Sequence, residues 1–143
     1  MIRVLSIAAA LAVGATAVFA ESASIDQRQQ AMKSIAGAAK APGAALKGEA
    51  KFDLDEVHKS LTVYQEQAAK LKDLWPDDSQ TGETYALPAI WENKSEFLAR
   101  FEKLAADAEA AAASITDEAT FRAEWPKVMS NCGGCHKQYR KPR

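Results

Sequence analysis

Residues 53–75 read DLDEVHKSLTVYQEQAAKLKDLW, and this stretch decides the fold class. Its apolar positions alternate spacings of three and four residues: Leu54, Val57, Leu61, Tyr64, Ala68, Leu71 and Trp75. Such a seam is typical of a helix that packs along its neighbours at a shallow angle. Asp53 is a suitable N-cap, with Glu56 three positions later. Trp75-Pro76 predicts the helix end, because the residue before a proline is disfavoured in the α region.

The segment before this helix also has helical periodicity. From about Ser24 to Ala41, apolar residues recur at spacings of three, four and seven, which is one face of a helix. Pro42-Gly43 is expected to interrupt the pattern.

Two further helices are predicted after it. Residues 76–87 indicate a loop, a third helix is expected to begin near Pro88, and a fourth runs from Thr116 or Asp117 to about Arg140. Pro126 lies inside the fourth helix and is expected to kink or split it. Four amphipathic helices with short connections predict an all-α fold, an antiparallel up-down-up-down four-helix bundle.

The N-terminus has the layout of a secretory signal. MIRVLSIAAALAVGATAVFA, residues 1–20, places Arg3 before an apolar run and ends in Val18-Phe19-Ala20, with small residues at −3 and −1. A transmembrane helix is the weaker alternative, because the run is interrupted short of about 18 apolar residues. Residues 21–143 are then one exported, periplasmic domain. The net charge of −1 argues against nucleic acid as a partner.

Residues 132–136 read CGGCH and carry the chemistry. A disulfide between Cys132 and Cys135 would close too short a loop to stabilise the chain much, and a redox dithiol would need a βαβ setting. Zinc would want four ligands, and His58 is the one other histidine. In an exported chain, C-x-x-C-H predicts one covalent haem c, with thioethers from both cysteines and His136 as an iron ligand. No catalytic residue and no enzymatic activity are predicted.

The chain resembles the cytochrome c′ and low-spin cytochrome c-556 family over nearly all of residues 21–143. The resemblance rests on five stretches: RQQAMK at 28–33, LKGE at 46–49, Trp75-Pro76 with Ser79 and Gly82, PAIW at 88–91, and NCGGCHKQYR at 131–140. In that family the haem lies between the bundle helices, bound by the last one.

By this resemblance, the first helix supplies the distal side of the haem, and its Met32 faces the iron. As a ligand, Met32 would complete a His–Met iron suited to one-electron transfer, and this is the favoured reading. The alternative is a five-coordinate iron that binds nitric oxide or carbon monoxide. His58 is a weaker candidate for sixth ligand, and Met129 is expected to be core packing.

Two arginines are further candidate site residues, and protein partners are also predicted. By resemblance Arg28 lies near the haem propionates and Arg140 on the proximal side near His136; a solvated surface position is the alternative for each. The implied partners are redox proteins of unknown identity. Family members often pair through their first two helices, so a homodimer is the further partner considered.

Overall fold

A computed structural model of the chain describes the backbone of residues 8–142 and the side chains of residues 23–142. Within that range the chain forms six helices: α1 (Ala8–Ala38), α2 (Lys40–Leu46), α3 (Leu54–Leu71), α4 (Ala89–Glu92), α5 (Lys94–Ser114) and α6 (Glu118–Tyr139). The long helices α1, α3, α5 and α6 alternate in direction, which confirms the predicted four-helix bundle.

Part of the predicted signal segment lies outside this description. Residues 1–7 are not described, whereas residues 8–20 form the first part of α1. Cleavage after Ala20 therefore stays a prediction. Among the described residues, no helix combines the length and the apolar character needed to span a bilayer.

Two helix starts are capped as the sequence predicted. The Asp53 side chain accepts a hydrogen bond from the backbone N–H of Glu56 at 3.1 Å. Asp117 accepts one from the N–H of Thr120 at 2.8 Å, and the Thr120 hydroxyl accepts in return from the N–H of Asp117 at 3.1 Å. Both caps satisfy backbone donors that a helix start leaves without partners.

Pro42-Gly43 does not interrupt the first helical segment where expected. The break falls at Ala39, and Pro42 and Gly43 lie inside α2. Pro42 is the third residue of α2, where a missing backbone N–H costs little because that group has no partner within the helix anyway.

The other helix boundaries also differ from the prediction in places. α3 ends at Leu71, four residues before Trp75, and the third helical segment is divided into α4 and α5 by Asn93 (φ −127°, ψ 41°). α6 is not split at Pro126: it runs without interruption to Tyr139. Because Pro126 is exposed, water can satisfy the carbonyl that the proline leaves without a donor.

The core follows the predicted seams. Buried apolar side chains come from every long helix and from the loop after α3, among them Ala31, Leu61, Tyr64, Trp75, Phe97, Ala108, Phe121 and Trp125. α3 packs closely against α1 and α5, and α5 against α6, whereas the backbones of α1 and α6 are not closely packed against each other. Among the described residues, the two helices that carry Met32 and His136 are thus not held together by close backbone packing.

Candidate functional site

Cys132, Cys135 and His136 share one face of the last two turns of α6. Spacings of three and four residues place side chains on the same side of a helix, and all three residues are half-buried. Cys135 also packs against the apolar core. Two sulfurs and one imidazole nitrogen therefore line the same side of a single helix, as thioether attachment to one porphyrin requires.

Gly133 and Gly134 lie between the cysteines and are exposed. A Cβ added at either glycine would meet no atom within 4 Å. The protein's own packing therefore does not require glycine at these two positions.

Burial raises the pKa of both thiols above the ordinary value for cysteine. A redox-active dithiol needs the opposite shift, because the thiolate is the reactive form. The pair also lies near the C-terminus of α6, where the helix dipole disfavours a negative charge. The environment therefore does not suit a disulfide oxidoreductase.

Tyr64 borders this face, and sequence reasoning treated it only as a core residue. Its hydroxyl donates to Met129 Sδ at 3.7 Å, and a thioether is a weak acceptor. The pKa of Tyr64 is raised, chiefly by burial and further by the charge of a Cys132 thiolate. Met129 is half-buried against the core, in agreement with the predicted packing role.

Asn131 anchors the start of the CGGCH motif to α5. Its side-chain amide donates to Asp107 Oδ2 at 2.7 Å, and Lys103 pairs with the same oxygen at 2.6 Å. Sequence reasoning missed this link, because Asn131 and Asp107 are 24 residues apart and the motif at 131–140 gives no indication of a partner on α5.

Met32 lies on α1, half-buried, and packs against the same apolar core as Cys135. It lies four residues after Arg28, so the two side chains are one turn apart on the same side of the helix. Met32 therefore lies on α1 toward the end of the bundle where α6 ends.

Arg28 is buried, only 4 % exposed, so the solvated alternative is wrong for this residue. Its Nη1 donates to Ser79 Oγ at 2.9 Å and to the carbonyl of Leu74 at 3.3 Å, and its Nη2 donates to the carbonyl of Ser79 at 3.1 Å. The guanidinium also lies 4.4 Å from the ring centre of Trp75. Burial lowers its pKa, and no carboxylate among the described residues opposes that shift.

Arg140 follows the last turn of α6 and is half-buried. Its backbone N–H donates to the carbonyl of His136 at 3.2 Å. Its Nε is buried and has no hydrogen-bond partner among the described residues. A buried donor without a partner is costly, so this side chain fits a site whose remaining acceptor is supplied by a bound group.

His58 lies at the opposite end of the bundle from His136. Its Nε2 is 3.0 Å from the carbonyl of Ile115, just before α6 begins. His136 is 18 residues beyond Glu118, which corresponds to roughly 27 Å along the helix axis. The two histidines therefore cannot bind one iron, and the structure contradicts His58 as sixth ligand.

Zinc was another alternative for the CGGCH motif. Within residues 23–142, no three His, Cys, Asp or Glu side chains are grouped as a metal-ion site. The geometry described above instead fits a flat group held from one helix face by two sulfurs.

Comparisons with known proteins agree with this geometry. The family model described as cytochrome C′ matches residues 23–140. A cytochrome c′ of Rhodopseudomonas palustris is 43 % identical over 97 % of this chain and 96 % of its own length. A cytochrome c-556 of Agrobacterium fabrum is 38 % identical over 88 % of this chain and 86 % of its own. The structure of the cytochrome c′ from Rhodopseudomonas palustris superposes with a TM-score of 0.82 and 45 % identity, covering 84 % of this chain and 97 % of that one. On these matches, the chain belongs to the cytochrome c′ family of c-type cytochromes.

Proposed function

We propose that this c-type cytochrome is an exported one-electron carrier whose haem c is attached through Cys132 and Cys135, with His136 as the proximal iron ligand. The observation that carries the proposal is the single half-buried face formed by these three residues in the last two turns of α6. Haem c supplies an iron that accepts and releases one electron. The residues of the chain would hold that iron, exclude water from it and keep its ligands fixed.

We further propose Met32 as the second axial ligand. Met32 is half-buried on α1 and packs on the core that also contacts Cys135. The backbones of α1 and α6 are not closely packed, and this supports the placement of a flat group between them. A flexible thioether can adapt to the metal, and His–Met ligation gives a potential suited to electron transfer.

A second candidate function is reversible binding of nitric oxide or carbon monoxide at a five-coordinate iron. The 43 % identity with a protein named cytochrome c′ favours this reading. In this case Met32 covers the distal side of the iron without binding to it. The two readings differ in one bond, so one substitution separates them.

The test is the absorption spectrum of the holoprotein and of its Met32→Ala variant. Under the carrier hypothesis, the wild type has a low-spin spectrum and Met32→Ala becomes high-spin and binds carbon monoxide at once. Met129→Ala is the matched control, since Met129 is also a half-buried methionine that packs on the core. A high-spin wild type with the same spectrum as Met32→Ala would overturn the ligand role and favour the gas-binding function.

The attachment residues are tested separately. Haem staining after denaturing electrophoresis should remain with the wild-type chain, because thioethers survive unfolding, and should be lost in the Cys132→Ala/Cys135→Ala double variant. A colourless wild type with two reactive thiols would instead support dithiol chemistry.

The arginines complete the proposed haem environment. We place Arg140 on the proximal side, where its buried Nε lacks a partner among the described residues. Arg28 is proposed to face the propionates: its buried charge has no carboxylate partner among residues 23–142, and a nearby anion would lower the cost of burying it.

The proposed location is the periplasm, where cleavage after Ala20 would release the domain. We also propose redox proteins as partners and a homodimer as the form in solution. N-terminal sequencing of the exported protein and its mass in solution test these points directly.

A further inference from the structure

The connection between α3 and α4 bridges the two helices that carry the proposed iron ligands. We call residues 74–87 the strap. On one side, Arg28 of α1 donates to Ser79 and Leu74, and Gln29 Nε2 donates to the carbonyl of Glu83 at 2.7 Å. The strap is therefore tied to the first helix along most of its length.

On its other side the strap is tied to the end of α6. The N–H of Leu87 donates to the carbonyl of Tyr139 at 3.0 Å, and the N–H of Lys141 donates to the carbonyl of Tyr85 at 2.8 Å. Ala86 and Arg140 form an antiparallel bridge between these contacts. One short segment thus pairs with α1 and with the chain that leaves α6.

This link matters because α1 and α6 are not closely packed against each other. Met32 lies four residues after Arg28, and His136 lies four residues before Arg140. Each proposed ligand is thus about one helical turn, roughly 6 Å, from the point where its helix meets the strap. A shift of the strap contact on α1 would change the separation of Met32 and His136 directly.

The strap contact on α1 is built as a rigid one. Ser79 is fully buried and its hydroxyl also donates to the carbonyl of Pro76 at 2.8 Å. Arg28 stacks on Trp75, which is in edge contact with Phe97 at 4.5 Å between ring centres. Hydrogen bonds from a charged donor in a buried setting are among the stronger ones.

We propose that Arg28 and Ser79 are positioning residues that fix α1 relative to α6, and so determine how closely Met32 approaches the iron. The inference rests on the proposed attachment of the haem to α6. It concerns the strap, and it applies both to a Met32-ligated iron and to a five-coordinate one.

The experiment compares holoprotein variants by two readouts: the high-spin fraction of the spectrum and the carbon monoxide association rate. Ser79→Ala removes the hydroxyl that Arg28 binds, and we expect the association rate to change by at least about threefold, in line with the loss of one charge-assisted hydrogen bond. If Met32 is a ligand, the high-spin fraction also rises. Gln29→Ala removes an exposed hydrogen bond between α1 and the strap. The carbon monoxide association rate should change in the same direction as in Ser79→Ala, but by a smaller factor.

Two controls separate positioning from general loss of stability. Gln80→Ala alters an exposed residue of the strap that does not bond to α1, and Ile115→Val weakens the core at the opposite end of the bundle. Neither should change the rate or the spectrum. The proposal is overturned if Ser79→Ala and Gln29→Ala bind carbon monoxide at the wild-type rate, or if Ile115→Val changes it equally.

This outcome is distinguishable from failure of the proposed function. The wild-type spectrum alone decides whether Met32 is bound to the iron. The ratio of rates between Ser79→Ala and wild type decides the role of the strap, whichever spectrum the wild type has.

Discussion

Cys132 and Cys135 occupy an environment that suits a bound sulfur better than a free thiolate. Burial raises both thiol pKa values, and a neutral sulfur has no such desolvation cost. The proposed thioether formation would remove the ionisable group altogether, so this environment would then carry no penalty. The same two residues in a polar, electropositive setting would indicate dithiol chemistry instead.

Gly134 gives a prediction on the exposed side of the same turn. Its position on the helix is opposite to Cys132, Cys135 and His136, and an added Cβ meets nothing within 4 Å. Glycine inside a helix is less stable than alanine by about 0.5–1 kcal/mol. Gly134→Ala should therefore raise the free energy of unfolding of the holoprotein by about that amount, measured by urea titration.

The matching spectral readout makes this prediction specific. The visible spectrum of Gly134→Ala should equal that of wild type, because the added methyl group points away from the attachment face. A loss of stability, or a changed spectrum, would mean that the space beside Gly134 is used by the bound group.

At the scale of the helix, caps were easier to predict than breaks. Asp53 was predicted as a cap, and Asp117 was one of two candidates beside Thr116, because a cap is a local hydrogen bond within three residues. Pro42 was expected to interrupt a helix but lies in the first turn of one, and Pro126 does not split α6, where it faces water; both facts depend on the structure around them.

In the candidate site, too, local features could be predicted from the sequence and contacts between distant residues could not. The residues of CGGCH are contiguous, so the sequence alone is enough to propose haem attachment there. Ser79 is 51 residues from Arg28, and nothing local to either residue indicates that contact. The sequence resemblance placed Ser79 in a loop motif but gave it no partner.

The N-cap of α6 supports a prediction about the helix that carries the proposed attachment residues. Asp117 and Thr120 bond reciprocally at its start. Replacing an N-cap aspartate by alanine costs about 1 kcal/mol, in a range of about 0.5–2. Asp117→Ala should lower the free energy of unfolding by that amount.

Asp77→Ala is the control for this substitution. Asp77 is an exposed aspartate whose ion pair with Lys94 is largely solvated, and such pairs contribute little. Equal losses in the two variants, measured by urea titration, would show that the α6 cap does not stabilise the helix start.

At the scale of the whole molecule, the two ends of the bundle have different roles. At one end, His58 lies against the carbonyl of Ile115, and Arg122 donates to the carbonyl of Leu46 at 3.1 Å. The other end holds the strap, the aromatic cluster around Trp75, and every proposed haem residue. All of the proposed haem residues therefore lie toward the end of the bundle that holds the strap.

The response of the whole fold to acid depends in part on the link between α5 and α6. Hydrogen bonds from Lys103 and Asn131 hold the pKa of Asp107 below its usual value. A carboxyl group with a lower pKa in the folded state stabilises the fold above the unfolded-state pKa, and this contribution is lost as the pH falls through the folded-state pKa. The stabilisation is therefore present near neutral pH and disappears in acid.

Asp107→Asn tests this contribution. At about pH 6 the variant should be less stable than wild type by up to about 1 kcal/mol, given the partial exposure of the ion pair, and the difference should shrink toward about pH 3. Urea titrations at both pH values measure it, and Glu109→Gln, at an exposed position of the same helix, controls for the change in net charge. A difference that stays constant from neutral pH to acid would mean that the charge of Asp107 is not the source of the lost stability, since the amide oxygen of the variant can still accept the bond from Asn131 at every pH.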